Sequence, residues 1–356
     1  MCKFNVYYGP ENYFQDEVKK INNPYTLEQY FIDFPTDLIT THKKEVDCMI
    51  IKNNHYSRLS DSGFNNLMEI ILSKVEPKEI YFHNPPKNIL NQFKLSANIN
   101  YYNYKEINDE FVKNIYDSFD KVIIGQKLAK LKILSALYNM VHYNNQDKPY
   151  VVVLYGPPGV GKTETVKMLS EKLGEKLFRK QFSMFQSSSF HEYIFGGEHQ
   201  KPSLAQELLA RTSNIILFDE FDKVHGNYYN AFYQLFDEGI LEDKYYCVKL
   251  KKSLIICTTN CLNKEEIEEK LGEPIFSRVN MCIEYFSISK QNLEVIINKQ
   301  IDECFSKILE DDKKFITKEK VKEEVYKYIG ASSNIREVRN LVNEIIFTSI
   351  VYKKYY

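Results

Sequence analysis

Tyr150-Val151-Val152-Val153-Leu154-Tyr155-Gly156-Pro157-Pro158-Gly159-Val160-Gly161-Lys162-Thr163 is the stretch on which the fold turns. Residues 150–155 are strand-like, and 156–163 fit G-x-x-x-x-G-K-[ST] where a strand gives way to a helix. An amphipathic helix continues over 161–173, with Gly174 placed to cap it. The spacing has a chemical reason. Glycines let the loop fold back so that successive backbone N–H groups point at phosphate oxygens, while the helix presents its positive N-terminus. Lys162 then reaches the β and γ phosphates of a nucleoside triphosphate, and the Thr163 hydroxyl ligates Mg²⁺, which keeps waters and phosphate oxygens as its other ligands. A glycine-rich turn without a ligand is the bland alternative, and the full motif in strand-to-helix context outweighs it.

Working outward, residues 215–218 and 254–257 are short apolar runs without polar alternation, which fits strands buried on both faces of a parallel sheet. Residues 177–183 read as a further strand, so the central region is a doubly wound α/β domain. The run 215–218 ends in Asp219-Glu220, which puts two acids at the C-terminal tip of a core strand, where ligands sit in open α/β sheets. Asp219 is placed to hold Mg²⁺ through water and Glu220 to polarise the water that attacks the γ-phosphate. Before this domain, Leu128, Leu131, Leu134, Leu137, Tyr138 and Val141 recur at helical spacing and are expected on one face, and Asn144-Asn145-Gln146 breaks that helix. Beyond 286 the periodicity is helical, with Ile335, Val338, Leu341, Val342, Ile345 and Ile346 on one stripe. Residues 1–115 alternate strand and helix patterns and read as a small α/β module. His42, His55 and His83 within it read as partly exposed residues without catalytic partners. The expected division is therefore an N-terminal α/β partner-recognition module (1–115), a large nucleotide-binding subdomain (116–286) and a helical lid (287–356), with no internal repeat.

Composition sets outer bounds. Hydrophobic residues are 44% and charged residues 27%, as in a folded globular chain. The net charge of −1 provides no field to hold DNA or anionic lipid unaided, so nucleic acid is not the favoured partner. The 27 Tyr and 23 Phe with no Trp point to a biased genome and carry no functional weight. Seven cysteines without a C-x-x-C pair fit a reducing interior, and no apolar run approaches the ~20 residues that span a bilayer. The N-terminus lacks the apolar core of a signal peptide, and the expected location is the cytoplasm.

Taken with their flanking segments, these motifs make residues 119–350 resemble an AAA+ ATPase, and within that superfamily the Clp-type chaperones and unfoldases. Val122-Ile123-Ile124-Gly125-Gln126 resembles the V-I-G-Q segment that contacts adenine. Asp219-Glu220-Phe221-Asp222-Lys223-Val224-His225, with Phe236-Asp237-Glu238-Gly239, is similar to the D-E-x-x-K-x-H and later D-x-G stretch of Clp-type modules. Thr258-Thr259-Asn260 resembles sensor 1, which implies that Asn260 orients the attacking water. Glu273-Pro274-Ile275-Phe276-Ser277-Arg278-Val279 resembles the arginine-finger segment, with Arg278 at the matching position. Ser333-Asn334-Ile335-Arg336-Glu337-Val338 opens the last helix as sensor 2 does, making Arg336 the cis arginine, with Arg339 a competing candidate.

The resemblance implies ATP and Mg²⁺ as cofactors, a homo-oligomeric ring, of six copies in the family pattern, and a protein client reached through residues 1–115. It fails at one place. Clp-type unfoldases carry a Gly-flanked aromatic on a pore loop between the second core strand and the acidic strand, and here residues 190–202 are shorter and lack it, as in torsin-like relatives. Tyr193 and Phe195 read as packing residues, and the tip Gly196-Gly197-Glu198-His199-Gln200-Lys201 as flexible and polar. An ATPase that remodels a protein partner is the leading expectation. A nucleotide-dependent scaffold or switch and a DNA-associated AAA+ regulator are the alternatives.

Overall fold

The structure is a computed structural model and describes residues 2–35, 42–143, 147–185, 187–330 and 334–356. The helix break at Asn144-Asn145-Gln146 and Ser333 of the sensor-like segment lie outside the described residues.

Among them, the strands form two five-stranded sheets and one hairpin. The first sheet holds β1 (Lys3–Tyr8), β2 (Tyr25–Thr26), β3 (Lys44–Ile51), β4 (Val75–His83) and β5 (Ala97–Tyr101) in the order β2-β3-β4-β1-β5. The second holds β6 (Tyr150–Tyr155), β7 (Phe178–Gln181), β8 (Ile215–Asp219), β11 (Leu254–Thr258) and β12 (Met281–Glu284) in the order β12-β6-β11-β8-β7. β9 (Ile240–Glu242) and β10 (Cys247–Lys249) form an antiparallel hairpin inserted between β8 and β11. Every pairing within the two large sheets is parallel. Parallel sheets need both faces covered, which is why β6, β8 and β11 are apolar throughout.

In the second sheet the side chains sort by parity. Val151, Val153, Ile216, Phe218, Ile255 and Cys257 face a core that is continuous with the first sheet, including Val6, Tyr56 and Phe82. Val152, Leu154, Ile215, Leu217, Leu254 and Ile256 face the helices Asp109–Val122, Lys127–His142 and Lys162–Leu173. The connection between the sheets is pinned: Lys105 Nζ donates to the carbonyls of Leu173 and Gly174 at 3.2 and 3.3 Å, and the buried Arg211 guanidinium lies 4.1 Å from the Tyr104 ring centroid. The C-terminal helices Lys290–Phe305, Lys318–Tyr328 and Ile335–Tyr355 close a separate core around Ile297, Val321, Val325, Val342 and Ile346.

Some expectations are corrected. Helix Lys127–His142 buries Ala129, Ile133, Ala136, Leu137 and Met140, while Leu128, Leu131 and Tyr138 are 59%, 65% and 50% exposed. Of the residues expected on one face, Leu137 is buried and Leu134 and Val141 are half-buried, while Leu128, Leu131 and Tyr138 fall outside the stripe that Ala129, Ile133, Ala136, Leu137 and Met140 form. His55 and His83 are each only 2% exposed. Burial pushes both imidazoles below their ordinary pKa, with Glu28 at 2.6 Å from His55 Nε2 opposing the effect there. The tip 196–201 is also held: His199 is 5% exposed, with Nε2 2.8 Å from the Leu59 carbonyl and its ring stacked on Phe64 at 4.5 Å. Tyr193 packs as expected, stacked on Phe185 at 4.6 Å and donating to Glu207 at 2.7 Å.

Ile346 is fully buried in the C-terminal helical core, so Ile346→Ala should lower unfolding free energy by ~2–5 kcal/mol through lost contacts and a cavity. Chemical denaturation followed by circular dichroism measures it; a change below ~0.5 kcal/mol would show that these helices do not pack as a cooperative unit.

Candidate functional site: a phosphate-loop cleft

Gly156 leaves β6 at φ 125°, and a side chain there would meet the Tyr285 carbonyl at 2.1 Å, so only glycine lets the loop pass. The loop then turns through Gly159 and Gly161, both at positive φ, into the helix Lys162–Leu173. Lys162 is 7% exposed, and its ammonium donates to the carbonyls of Gly156 and Pro157 at 2.6 and 2.7 Å and to Asn260 Oδ1 at 3.1 Å. Burial pushes its pKa down to about 8, against the opposing pull of Asp219 and Asp222.

Opposite stands the tip of β8. Asp219 is 5% exposed, and each carboxylate oxygen has partners. Oδ1 accepts from the Thr258 hydroxyl and, at 3.3 Å, from the Thr163 hydroxyl; Oδ2 accepts from Arg179 Nε at 3.0 Å and Nη2 at 2.6 Å. Glu220 adopts φ 55°, unusual for a residue with a side chain, and its N–H donates to Thr258 Oγ1 at 3.0 Å. That twist carries its carboxylate to Gln181, whose Nε2 donates to Oε2 at 3.1 Å. Arg179 and Gln181 were missed in the sequence. They sit two apart on β7, so they share a face beside β8; alternation on a strand adjacent to an acidic tip was the available signal.

Lys162, Thr163, Asp219, Glu220 and Asn260 thus line one cleft of about 480 Å³, which also takes in Ile123 and Ile124 from the connection before the sheet and Arg336 from the last helix. Val160 is buried beneath the loop, and Pro157 and Pro158 shape its outer turn. The helical lid closes the far side: Ile335 N–H donates to the Gly159 carbonyl at 3.1 Å. Gln126 fixes the 123–126 segment, donating to the Phe286 carbonyl at 2.7 Å and accepting from its N–H at 3.1 Å. Arg336 and Arg339 are both exposed and both line the cleft; Arg339 Nε donates to Gln300 Oε1 at 3.0 Å, whereas Arg336 has no side-chain bond among the described residues. Arg278 stands outside this cleft. Its Nε pairs with Asp237 at 2.7 Å and its guanidinium lies 4.8 Å from the Tyr233 ring centroid.

The donor set fits Mg²⁺. A hydroxyl and a carboxylate 3.3 Å apart are hard oxygen donors, and the Arg179 guanidinium on Asp219 shows that this oxygen attracts a cation. Among the described residues no group of three or more His, Cys, Asp or Glu gathers as a metal cage.

Residues 147–329 match the model of a known family, described as AAA domain (Cdc48 subfamily). Among curated relatives, chaperone protein ClpB of Malacoplasma penetrans is 29% identical over 248 residues, covering 63% of this chain and 34% of its own length. Chaperone protein ClpB 2 of Synechocystis is 24% identical over 349 residues, covering 83% and 39%. The chain therefore spans little more than a third of the curated relatives it matches. Of solved structures, the S. cerevisiae Hsp104-ADP complex superposes with a TM-score of 0.55 at 18% identity, over 69% of this chain and 49% of the other, a likeness of fold.

The low pKa of Lys162 has a measurable consequence. A bound triphosphate favours the charged amine and raises its pKa, so above pH ~8 binding must take up a proton. Affinity should fall as pH rises from 7.5 to 9.5, with calorimetry in two buffers at pH 9 reporting net proton uptake. Affinity that stays flat across that range would contradict the burial of the ammonium. For the protein alone the sign is the same as for any group with a depressed folded pKa: stability rises from pH ~8 towards 10.5, where the unfolded chain still holds the proton and the native one does not.

Proposed function

The chain belongs to the AAA domain family (Cdc48 subfamily), a P-loop ATPase fold, and from that premise we propose that it hydrolyses ATP in a ring assembly to remodel or disassemble a protein partner. The observation that carries the chemistry is the convergence of Lys162, Thr163, Asp219, Glu220 and Asn260 on one cleft from separate segments of the chain. In this reading Gly156, Pro157, Pro158, Gly159, Val160 and Gly161 form the phosphate cradle, Lys162 neutralises β and γ charge, and Ile123 and Ile124 flank the base. Thr163 and Asp219 would hold Mg²⁺, which would supply positive charge against the charge of the triphosphate. Glu220 accepts the proton of the attacking water and Asn260 orients that water. Arg336 is the cis arginine, a role supported by its lack of a competing side-chain partner, in contrast to Arg339 on Gln300.

Arg278 faces away from its own cleft, which supports service to a neighbouring copy and hence a homo-oligomer, most simply a hexameric ring. Exposed Tyr116, Leu128, Leu131 and Tyr138 on the outer helices are apolar surface of the kind that assembly buries. The client is a protein bound through the outward surface of residues 1–115. No helix among the described residues is long and apolar enough to cross a membrane, and the reading places the protein in the cytoplasm. The scaffold or switch alternative has one observation in its favour: His199, in the loop where Clp-type unfoldases carry their aromatic grip, is buried against Leu59 and Phe64. A DNA-associated regulator has none beyond the family.

Glu220→Gln should bind ATP with near wild-type affinity and turn it over ~100-fold more slowly or worse, because the amide cannot accept the water's proton. Steady-state phosphate release at more than a tenth of the wild-type rate would remove Glu220 from that role. Arg278→Ala should also bind ATP and hydrolyse it poorly, and mixing it with Lys162→Ala should restore activity at interfaces that join an intact arginine to an intact loop. Absence of rescue in protein shown by light scattering to be co-assembled would count against service in trans.

A further inference from the structure

The two five-stranded sheets have one topology. Numbered within each sheet in chain order, both run 2-3-4-1-5, with every neighbour parallel. Parallel crossovers are almost always right-handed, so an identical order gives an identical fold. The register aligns them residue by residue. Asn84 N–H donates to the Tyr7 carbonyl and Tyr102 N–H to that of Tyr8; in the second sheet Thr259 N–H donates to Leu154 and Tyr285 N–H to Tyr155. Tyr8-Gly9-Pro10 therefore lies where Tyr155-Gly156-Pro157 lies. Gly9 and Gly156 both take positive φ, and a Cβ on either would collide with the corresponding residue, Tyr102 or Tyr285. Across β3 and β4, Ile51 pairs with Phe82 as Phe218 pairs with Cys257, which puts Lys52-Asn53 in the positions of Asp219-Glu220.

The first copy has lost the chemistry. Pro10 alone separates Gly9 from the helix Glu11–Val18, where residues 157–161 separate Gly156 from the helix Lys162–Leu173, so there is no loop to wrap a phosphate. The Gly9 backbone is consumed internally. Its N–H donates to Asn84 Oδ1 at 2.9 Å, and its carbonyl accepts from Asn84 Nδ2 at 2.8 Å with His83 Nε2 at 2.9 Å. The acids are replaced by a lysine and an amide.

What meets the C-terminal edge of this sheet is protein. Lys87 N–H donates to the Tyr245 carbonyl at 2.7 Å, and its ammonium holds the Asp243 carbonyl at 2.6 Å and Glu242 at 2.5 Å. Asn53 Oδ1 accepts from Gln206 at 3.4 Å, the Leu59 carbonyl meets His199, and Phe64 packs edge-on to Tyr245 at 5.3 Å. Open α/β sheets bind ligands at this edge. We infer that residues 3–101 are a second, nucleotide-free copy of the ATPase sheet whose ligand edge clamps the 240–249 hairpin and the 199–206 loop of the ATPase subdomain.

Two measurements on the full chain test this. Titration with a fluorescent ATP analogue should give one site per chain, and none in Lys162→Ala at concentrations that saturate the wild type; a second site, or one that survives Lys162→Ala, overturns the nucleotide-free assignment. Hydrogen exchange should protect peptides spanning 53–64, 84–90 and 240–249 together, with Lys87→Glu speeding exchange at 240–249 about tenfold and Lys87→Glu/Glu242→Lys returning it towards wild type. A wild-type hairpin that exchanges freely while 53–64 and 84–90 stay protected overturns the clamp even if Lys87→Glu does not fold, and so does an unchanged hairpin in a folded Lys87→Glu protein.

Discussion

The buried carboxylate of Asp219 is the constraint around which the central domain is arranged. A carboxylate that is 5% exposed at the end of an apolar strand is costly unless its oxygens are bonded, and its bonds come from three separate elements: Thr258 from β11, Arg179 with two from β7, and Thr163 from the helix after the phosphate loop. Satisfying one charge therefore fixes the lateral position of three elements. The same arrangement aims Glu220, because Thr258 Oγ1 receives the Glu220 N–H as well as donating to Asp219, and the backbone there, at φ 55°, carries the Glu220 carboxylate into contact with Gln181. The two adjacent acids end up with separate surroundings, Asp219 closed around the Arg179 guanidinium and two hydroxyls and Glu220 lining the cleft beside Gln181, which supports assigning them different roles.

The residues that line the cleft were legible in the sequence because the chemistry expected of them is local. A cradle of backbone amides needs glycines at fixed offsets within one loop, and the acids and Asn260 need only follow apolar strands, so all are visible as short patterns. Arg179 and Gln181 were not legible, since nothing within β7 says that it lies beside β8; their meaning comes from lateral register. The exposed face of helix Lys127–His142 failed for a related reason. Apolar periodicity reports a stripe but not what the stripe meets, and the buried one runs through Ala129, Ile133, Ala136, Leu137 and Met140, with Leu128 and Leu131 outside it. His55 and His83 were read as surface residues because their partners, Glu28 and Gly9, are remote in sequence.

The similarity between the two sheets was hidden for a further physical reason. A parallel strand buried on both faces asks only for apolar bulk, so matched core positions hold different apolar residues, Ile51 against Phe218 and Phe82 against Cys257, and the strand order stays while residue likeness does not. What resists drift is geometry at the one tight point. Glycine persists at 9 and 156 because a neighbouring strand crosses within reach of a Cβ in both places, even though only one of the two glycines still opens a phosphate loop.

The two sheets are joined by packing as well as by polar bonds, and this bears on how the molecule can move. Val6, Tyr56, Leu59 and Phe64 of the first share one core with Leu204, Leu241, Tyr245 and Val248 of the second. Close-packed cores transmit displacement and do not absorb it. The hairpin leads into β11 and so to Asn260, and the 199–206 loop lies between β7 and β8, which carry Gln181 and Glu220. Any shift of those strands with nucleotide state must carry the first sheet along as a body. The lid is attached differently: Ile335 N–H donates to the Gly159 carbonyl, Lys299 Nζ donates to the Lys121 carbonyl at 3.0 Å, and Ile124 packs against a core that is otherwise the lid's own. The first sheet shares its core with the second while the lid closes a separate one, so a hinge between the ATPase sheet and the lid would disrupt less buried apolar contact than one between the two sheets.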